Sequence, residues 1–304
     1  MSLKAKEFMF GLVELARPLE WTKTAGNMVV ALAIARSTLN VTVSISNFLL
    51  ATVAGCLLWS GLYTFNDFTD RKADARHVVK RRRPIPRGAV PPKVALIYGV
   101  SLLVFSLALA ASINSLLFIL LVLMCVNQLA YTMKPFRFKE RAVFDLVSGS
   151  TINPVLRFLA GWVLAASLDV LPWLGLVSMV LMQFGGFTLY RLSSRSTEKK
   201  LAYRSSVALF GMARLKMLAY CAMVTGILLF LLMFANYFWC NACNILGVLH
   251  PKYMLPVLGS VVFAPFYIDF IKAPREEMIP RVYRMLYVHY ALFVFAFFLL
   301  LYVF

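Results

Sequence analysis

The run TFNDFTDRKADARHVVKRRRPIPRG concentrates the residues best suited to chemistry. Within it Asn66, Asp70 and Asp74 are spaced i, i+4 and i+8, and Asp67 lies three residues before Asp70 and seven before Asp74. On a helix these spacings put all four side chains on one face. Like charges on one face are destabilising without a partner, and clustered side-chain oxygens suit a hard divalent cation. Mg²⁺ is held typically by one or two carboxylates, by waters and by the phosphate oxygens of a substrate. Six basic residues follow closely, Arg76, Lys80, Arg81, Arg82, Arg83 and Arg87. Their charge suits the remainder of a phosphate group. In a plain solvated loop the acids would only neutralise the bases. An acidic run ahead of a basic run at the mouth of an apolar bundle favours a metal–diphosphate site.

The elements that must carry this loop are set by composition. Of 304 residues, 61% are hydrophobic and 14% charged, with a mean hydropathy of +0.78. A soluble domain carries about 25% charged and 45–50% apolar residues, so an aqueous globular core cannot absorb this chain. The 31 Lys and Arg against 13 Asp and Glu give a net charge of +18. On so apolar a chain that excess reads as a cationic membrane face, with no nucleic-acid partner required. Five cysteines do not make a disulfide scaffold. The N-terminal MSLKAKEFMFGLVELARPLEW lacks a signal-peptide core and cleavage site, so the spans are expected to do their own targeting.

A spanning helix needs roughly 20 mostly apolar residues. Nine stretches qualify, at 21–38, 45–65, 93–112, 115–132, 143–166, 170–190, 215–236, 253–273 and 286–304. The Lys and Arg distribution tests that count. Of the 31, 28 fall in the N-terminal segment and in the loops after spans two, four, six and eight. The alternate loops hold only Arg36 and Lys252, and Arg157 lies inside span five. The positive-inside rule then places the N-terminus in the cytoplasm and the C-terminus outside. The expected fold is an all-α integral membrane bundle of nine transmembrane helices. It forms one domain over residues 1–304, with cytoplasmic loops 66–92, 133–142 and 191–214 capping the site.

At this point a resemblance is evident. NDFTDRKAD resembles the N-D-x-x-D-x-x-x-D motif of the UbiA superfamily of intramembrane prenyltransferases. RRPIPRG is similar to the basic stretch that follows it there, and YTMKPFRFK to the Tyr/Lys segment of the next cytoplasmic loop. Nine spans with the N-terminus inside is also that family's architecture. The resemblance implies an Mg²⁺-dependent transferase moving an isoprenyl group from its diphosphate to an aromatic or lipid acceptor. Asn66, Asp67, Asp70 and Asp74 would hold the metal and diphosphate, and Lys80, Arg83 and Arg87 would bind phosphate oxygens. Lys23, Tyr131 and Lys134 would close the site from neighbouring segments.

The family's second aspartate motif is degenerate here. In YRLSSRSTEKKLAYRSSVALFG, the segment Ser205–Gly211 resembles the end of that motif. Counting back puts Arg191, Ser194 and Glu198 where aspartates are expected, so only one carboxylate survives. Arg191, Arg195, Lys199 and Lys200 could take phosphate charge without a metal. A branch of the superfamily that transfers phosphoribose from its diphosphate onto a polyprenyl phosphate also lacks the usual second motif. ARPLEWTK and NPVLRFLAG resemble that branch too. Isoprenyl transfer is the first reading and phosphoribosyl transfer the second. A non-catalytic lipid-binding or transport protein is the third; it is disfavoured because transport calls for polar groups in several spans and only Arg157 stands out.

Arg157 is expected to face a ligand, because a charge deep in a span is costly without a partner or cavity. It would meet a phosphate or a carboxylate. Asp145 and Asp269 lie near span ends, where local pairing explains them. Cys240 and Cys243 form a C-x-x-C without the four ligands of a zinc site; a stray pair or a disulfide is the expectation. His77, His250 and His289 have no triad context.

Overall fold

The structure is a computed structural model that describes residues 2–76, 80–200, 202–239 and 246–304. His77, Cys240 and Cys243 lie outside the described residues. The helices run in the order α1 (Leu3–Ala16), α2 (Trp21–Leu39), α3 (Ile45–Asp74), α4 (Pro92–Ile113), α5 (Ser115–Thr132), α6 (Phe144–Val147), α7 (Asn153–Trp162), α8 (Trp173–Ser193), α9 (Arg195–Lys200), α10 (Ser206–Leu209), α11 (Met212–Trp239), α12 (Met254–Gly259), α13 (Ala264–Lys272) and α14 (Ile279–Tyr302). Among the described residues there is no strand, only an isolated bridge between Arg141 and Arg204.

Seven helical segments among the described residues are long and apolar enough to cross a membrane, in α3, α4, α5, α8, α11, Pro251–Lys272 and Glu276–Tyr302. They match seven of the nine expected stretches. The other two, 21–38 and 143–166, are helical for a different reason. In α2 the residues from Met28 to Ala35 are all buried, together with Thr24 and Asn27. This helix is wrapped by α3, α7 and α14 and meets protein where the outer helices meet lipid, so it can be less apolar. The fifth stretch is interrupted. α6 passes through a π-helical turn, Ser148–Ile152, into α7. Pro154 lacks the N–H that would continue an α-helical ladder, and the turn precedes it. The eighth stretch is likewise broken into α12, a 3₁₀ turn at Ser260–Phe263, and α13.

Small residues set the closest helix crossings. A Cβ on Gly161 of α7 would lie 2.6 Å from the backbone of Met28, and one on Gly185 of α8 would lie 2.5 Å from the Ala219 carbonyl of α11. Such residues let backbones approach without a hydrophobic driving force in lipid. Polar residues inside the bundle pair with one another. Gln183 donates to Asn27 at 2.8 Å, and Asn127 donates to Asn153 at 2.8 Å. Arg157 is therefore not the only polar group within the spans, and these amides bond to each other across helices.

Two features deliver the chemistry to one end. With 30 residues, α3 is about 45 Å long at 1.5 Å per residue, more than the roughly 30 Å hydrocarbon layer. Its last turns, carrying Asn66 to Asp74, project past the apolar part as the spacing predicts. The second feature is α1, which the span count does not reveal. It lies against the 84–95 segment, burying Leu15 with Ile85, Val90 and Ala95. A Cβ on Gly11 would meet Val90 at 2.7 Å. This packing fixes Arg83 and the chain end of α1 beside the aspartates.

Candidate active site at the mouth of the bundle

The four motif residues occupy one face of α3 in two adjacent columns. Asp67 and Asp74, one above the other at i and i+7, are both buried. Arg83 bridges them, with Nη1 at 2.8 Å from each carboxylate. Arg17 reaches Asp67 from the other side at 2.7 Å. It can do so because it ends α1 in the left-handed conformation, φ 49°, which turns the chain out of the helix. Burial alone disfavours the Arg17 charge; Asp67 overrides it and holds the guanidinium above its ordinary value.

Asn66 and Asp70 form the second column. Asn66 accepts from Thr132 of α5 at 3.3 Å. Asp70 is held by Lys139 Nζ at 2.6 Å, with Arg137 at 3.7 Å. Burial pulls the Lys139 ammonium below the ordinary lysine value, against the opposing attraction of Asp70. Lys134, expected to serve from this loop, is exposed, and Lys139 occupies the position by the aspartate. Arg87, also expected here, ion-pairs with Glu14 of α1 at 2.8 Å instead. Lys80 lies within electrostatic range of Asp74.

A second cluster joins the first through the same loop. Arg191 Nη2, at the end of α8, contacts Asp145 at 3.2 Å and Glu198 at 2.9 Å. It also donates to the Lys139 carbonyl at 3.0 Å. Glu198 further accepts from Ser194 at 3.0 Å and from Ser205. Asp145 takes the backbone N–H of Ser206 at 3.1 Å and its hydroxyl at 2.6 Å. Tyr131 stands within electrostatic reach of Arg191. Lys199 and Lys200 are exposed on α9.

Below the aspartates, polar groups continue into the bundle. Arg17 sits over the Tyr63 ring, 4.8 Å from its centroid, and Tyr63 donates to Glu20 at 3.4 Å. Glu20 also receives Tyr287 at 2.6 Å and ion-pairs with Lys23 at 2.6 Å. Burial by itself pushes the Glu20 carboxyl up, but Lys23 and Tyr287 outweigh it and hold the group below the usual range. Deeper still, the Arg157 guanidinium lies 4.0 Å from the Trp59 ring centroid. It is buried, its Nε has no hydrogen-bond partner, and it forms no ion pair among the described residues.

Among the described residues no group of three or more His, Cys, Asp or Glu side chains is gathered as a metal cage. The donor set nevertheless fits Mg²⁺. The ion asks for one or two carboxylates and completes its shell with water and phosphate, and Asp67 and Asp74 already converge on a single cationic group. Sequence spacing identified the aspartates and Arg83. It missed Arg17, Glu20 and Lys139, whose partners are remote in the chain.

The geometry is that of a membrane-embedded bundle of long apolar helices with an aspartate face and a basic loop at one end. The chain belongs to the UbiA prenyltransferase family, whose profile matches residues 27–289. It is an integral, multi-pass membrane protein. Over 205 residues it is 32% identical to the decaprenyl-phosphate phosphoribosyltransferase of Mycolicibacterium smegmatis, covering 66% of this chain and 60% of that relative. Over 178 residues it is 30% identical to the 4-hydroxybenzoate octaprenyltransferase of Thiobacillus denitrificans, covering 58% and 56%. The matches thus span less than two thirds of either relative's length. A UbiA homolog from Archaeoglobus fulgidus bound to GPP and Mg²⁺ superposes with a TM-score of 0.70 over 96% of this chain and 99% of that one, at 19% identity. At that identity the likeness is one of fold.

Proposed function

We propose that the chain is a polyprenyl-phosphate phosphoribosyltransferase, taking phosphoribosyl diphosphate as donor. The observation that carries this reading is Arg191, locked between Asp145 and Glu198 where a second metal–diphosphate site would need free carboxylates. The phosphoribosyltransferase relatives support it and put it ahead of isoprenyl transfer, the first reading of the sequence. In this reading α2 and α6–α7 complete nine crossings of a single transmembrane domain. The N-terminus and the loops 66–92, 133–142 and 191–214 face the cytoplasm, as the Lys and Arg bias requires.

Asn66, Asp67, Asp70 and Asp74 would hold Mg²⁺. When bound, the ion would neutralise charge on the departing diphosphate. The remaining work falls to the chain's own residues. Arg17, Arg83 and Lys139 now rest on the aspartates, and each exchanges that contact for a phosphate oxygen when the donor arrives. They are then placed where negative charge grows as the ribose C1–O bond breaks and its electrons leave on the diphosphate. The attacking group is a phosphate oxygen of the lipid. It is already an anion, so forming the new C1–O bond needs no general base. Arg157 and Lys23, deeper along the bundle, meet the lipid phosphate and orient it towards C1. Arg191 and Glu198 hold the Lys139 loop in place.

The test is mass spectrometry of the lipid fraction after incubation of purified protein with phosphoribosyl diphosphate, polyprenyl phosphate and Mg²⁺. The expected product is polyprenyl-phosphoryl phosphoribose. The reading fails if none forms while an isoprenyl diphosphate and 4-hydroxybenzoate give a prenylated aromatic. That second outcome is the isoprenyl reading, which the octaprenyltransferase relatives favour and in which Arg157 would meet the acceptor's carboxylate.

A further inference from the structure

The end of the bundle opposite the aspartates has a polar chamber of its own. A cavity of about 310 Å³ lies between the end of α2, the 41–43 segment and the end of α14, with Arg36 and Lys252 in its wall. Thirteen residues of α2 separate Arg36 from Lys23, about 20 Å at 1.5 Å per residue. The chamber is therefore distinct from the site above. Its volume is at the lower end of the roughly 300–1,000 Å³ typical of ligand pockets. Leu32, Val43 and Leu301 give the rest of the wall an apolar character.

Among the described residues, its polar side chains are donors with no acidic side chain beside them. Arg36 donates only weakly, to the Asn40 carbonyl at 3.4 Å. The Lys252 ammonium lies 5.3 Å from the Tyr253 ring centroid. Neither cation forms an ion pair among the described residues, and residues 240–245, outside that set, include no Asp or Glu. Asp169, the one acid in the nearby 163–172 segment, is exposed and forms no ion pair among the described residues. Two hydroxyls add to the deficit. Tyr302 lines the chamber, and Tyr253, fully buried beneath it, has Arg36 and Tyr302 as electrostatic neighbours. Neither hydroxyl has a hydrogen-bond partner among the described residues, although buried polar groups are almost always satisfied. Arg36 and Lys252 are also the two basic residues that the topological bias leaves unexplained.

We propose that this chamber binds a phosphate group, with Arg36 and Lys252 neutralising its charge and Tyr302 and Tyr253 donating to its oxygens. One phosphate supplies an anion to the two cations and an acceptor to the two hydroxyls, and the apolar wall continues from it as a seat for the first carbons of a lipid. The phosphate is that of an anionic phospholipid headgroup in the leaflet opposite the aspartates, or a free phosphate ion.

Native mass spectrometry and thermal unfolding of the detergent-solubilised full chain separate the possibilities. The probes are dioleoylphosphatidylglycerol, dioleoylglycerol as its phosphate-free counterpart, and inorganic phosphate. The wild type is expected to retain phosphatidylglycerol and gain a higher Tm, and to retain no dioleoylglycerol. In R36Q/K252Q, lipid retention falls at least tenfold and the Tm gain disappears. In Tyr302→Phe, which keeps both charges and the ring, retention falls several-fold; this variant decides the matter if the double variant does not fold. Inorganic phosphate that raises the Tm and displaces the lipid makes the free ion a sufficient ligand. Phosphate without effect assigns the site to the lipid headgroup. Equal phosphatidylglycerol retention by wild type and Tyr302→Phe, or equal retention of dioleoylglycerol, overturns the proposal.

Discussion

Asp67 and Glu198 are both buried carboxylates at the mouth of the bundle, and each is neutralised by arginine, yet their surroundings differ in kind. Around Asp67 the cations arrive from separate segments, Arg17 at the end of α1 and Arg83 from the basic loop. Both are 26% exposed. Around Glu198 the cation is Arg191, 11% exposed and shared with a fully buried Asp145. Serine hydroxyls take up the remaining oxygens there. The first arrangement is open enough to exchange its partners, because both arginine side chains are partly exposed. The second is closed on itself. Two acidic clusters of similar composition therefore differ in how open they are, and in the proposed function the first receives the ligand while the second holds a loop.

The sharpest way to break that distinction is at Arg191. Arg191→Met leaves Asp145 and Glu198 buried without a cation, and unfolding in detergent should show a loss of about 3–5 kcal/mol. Adding Glu198→Gln removes one uncompensated charge and should recover part of the loss. A variant as stable as wild type would mean that Arg191 is a free ligand-binding residue after all. At the first site the sign reverses. Asp67→Asn should lower transfer by about 10²–10³-fold, the scale of losing one preorganised electrostatic group. Its stability should fall by less than that of Arg191→Met, because Arg83 keeps its contact with Asp74 and both arginines are partly exposed. Arg83→Gln should have a smaller effect, concentrated in the KM for the diphosphate donor and worth about 1.5–3 kcal/mol for a charged hydrogen bond. An unchanged KM would remove Arg83 from the donor site.

The smallest effect concerns acid. The Glu20 carboxyl is held below its ordinary value of 4.5, so its stabilising contribution is complete above that pH and is lost as pH falls through the depressed value. Glu20→Gln should be less stable than wild type at neutral pH, and the gap in Tm should close on acidification below 4.5. A gap independent of pH would show that Glu20 is not held by its charge.

Much of this was legible in the chain. The i, i+4, i+8 spacing placed Asn66, Asp70 and Asp74 on one face because α3 does continue past the apolar stretch. Hydropathy found the lipid-facing helices because surfaces in contact with lipid must be apolar, whereas α2, buried by its neighbours, can carry Thr24 and Asn27. The site's partners were less accessible. Arg17 meets Asp67 across 50 residues, Lys139 meets Asp70 across 69, and Arg191 meets Asp145 across 46. No local spacing encodes such pairs. Lys139 rather than Lys134 meets Asp70 because the loop's fold decides which lysine turns inward. Arg157 was visible because a charge inside a span is conspicuous, whereas Glu20, two residues ahead of Thr22 at a helix start, reads as an ordinary cap.

The measurement that tests the central claim most directly counts metal at the two sites. Mn²⁺, standing in for Mg²⁺, is titrated into the purified protein with diphosphate present and followed by electron paramagnetic resonance. Binding should disappear in Asp67→Asn and persist in Glu198→Gln. Loss of binding in Glu198→Gln, with binding intact in Asp67→Asn, would contradict that claim.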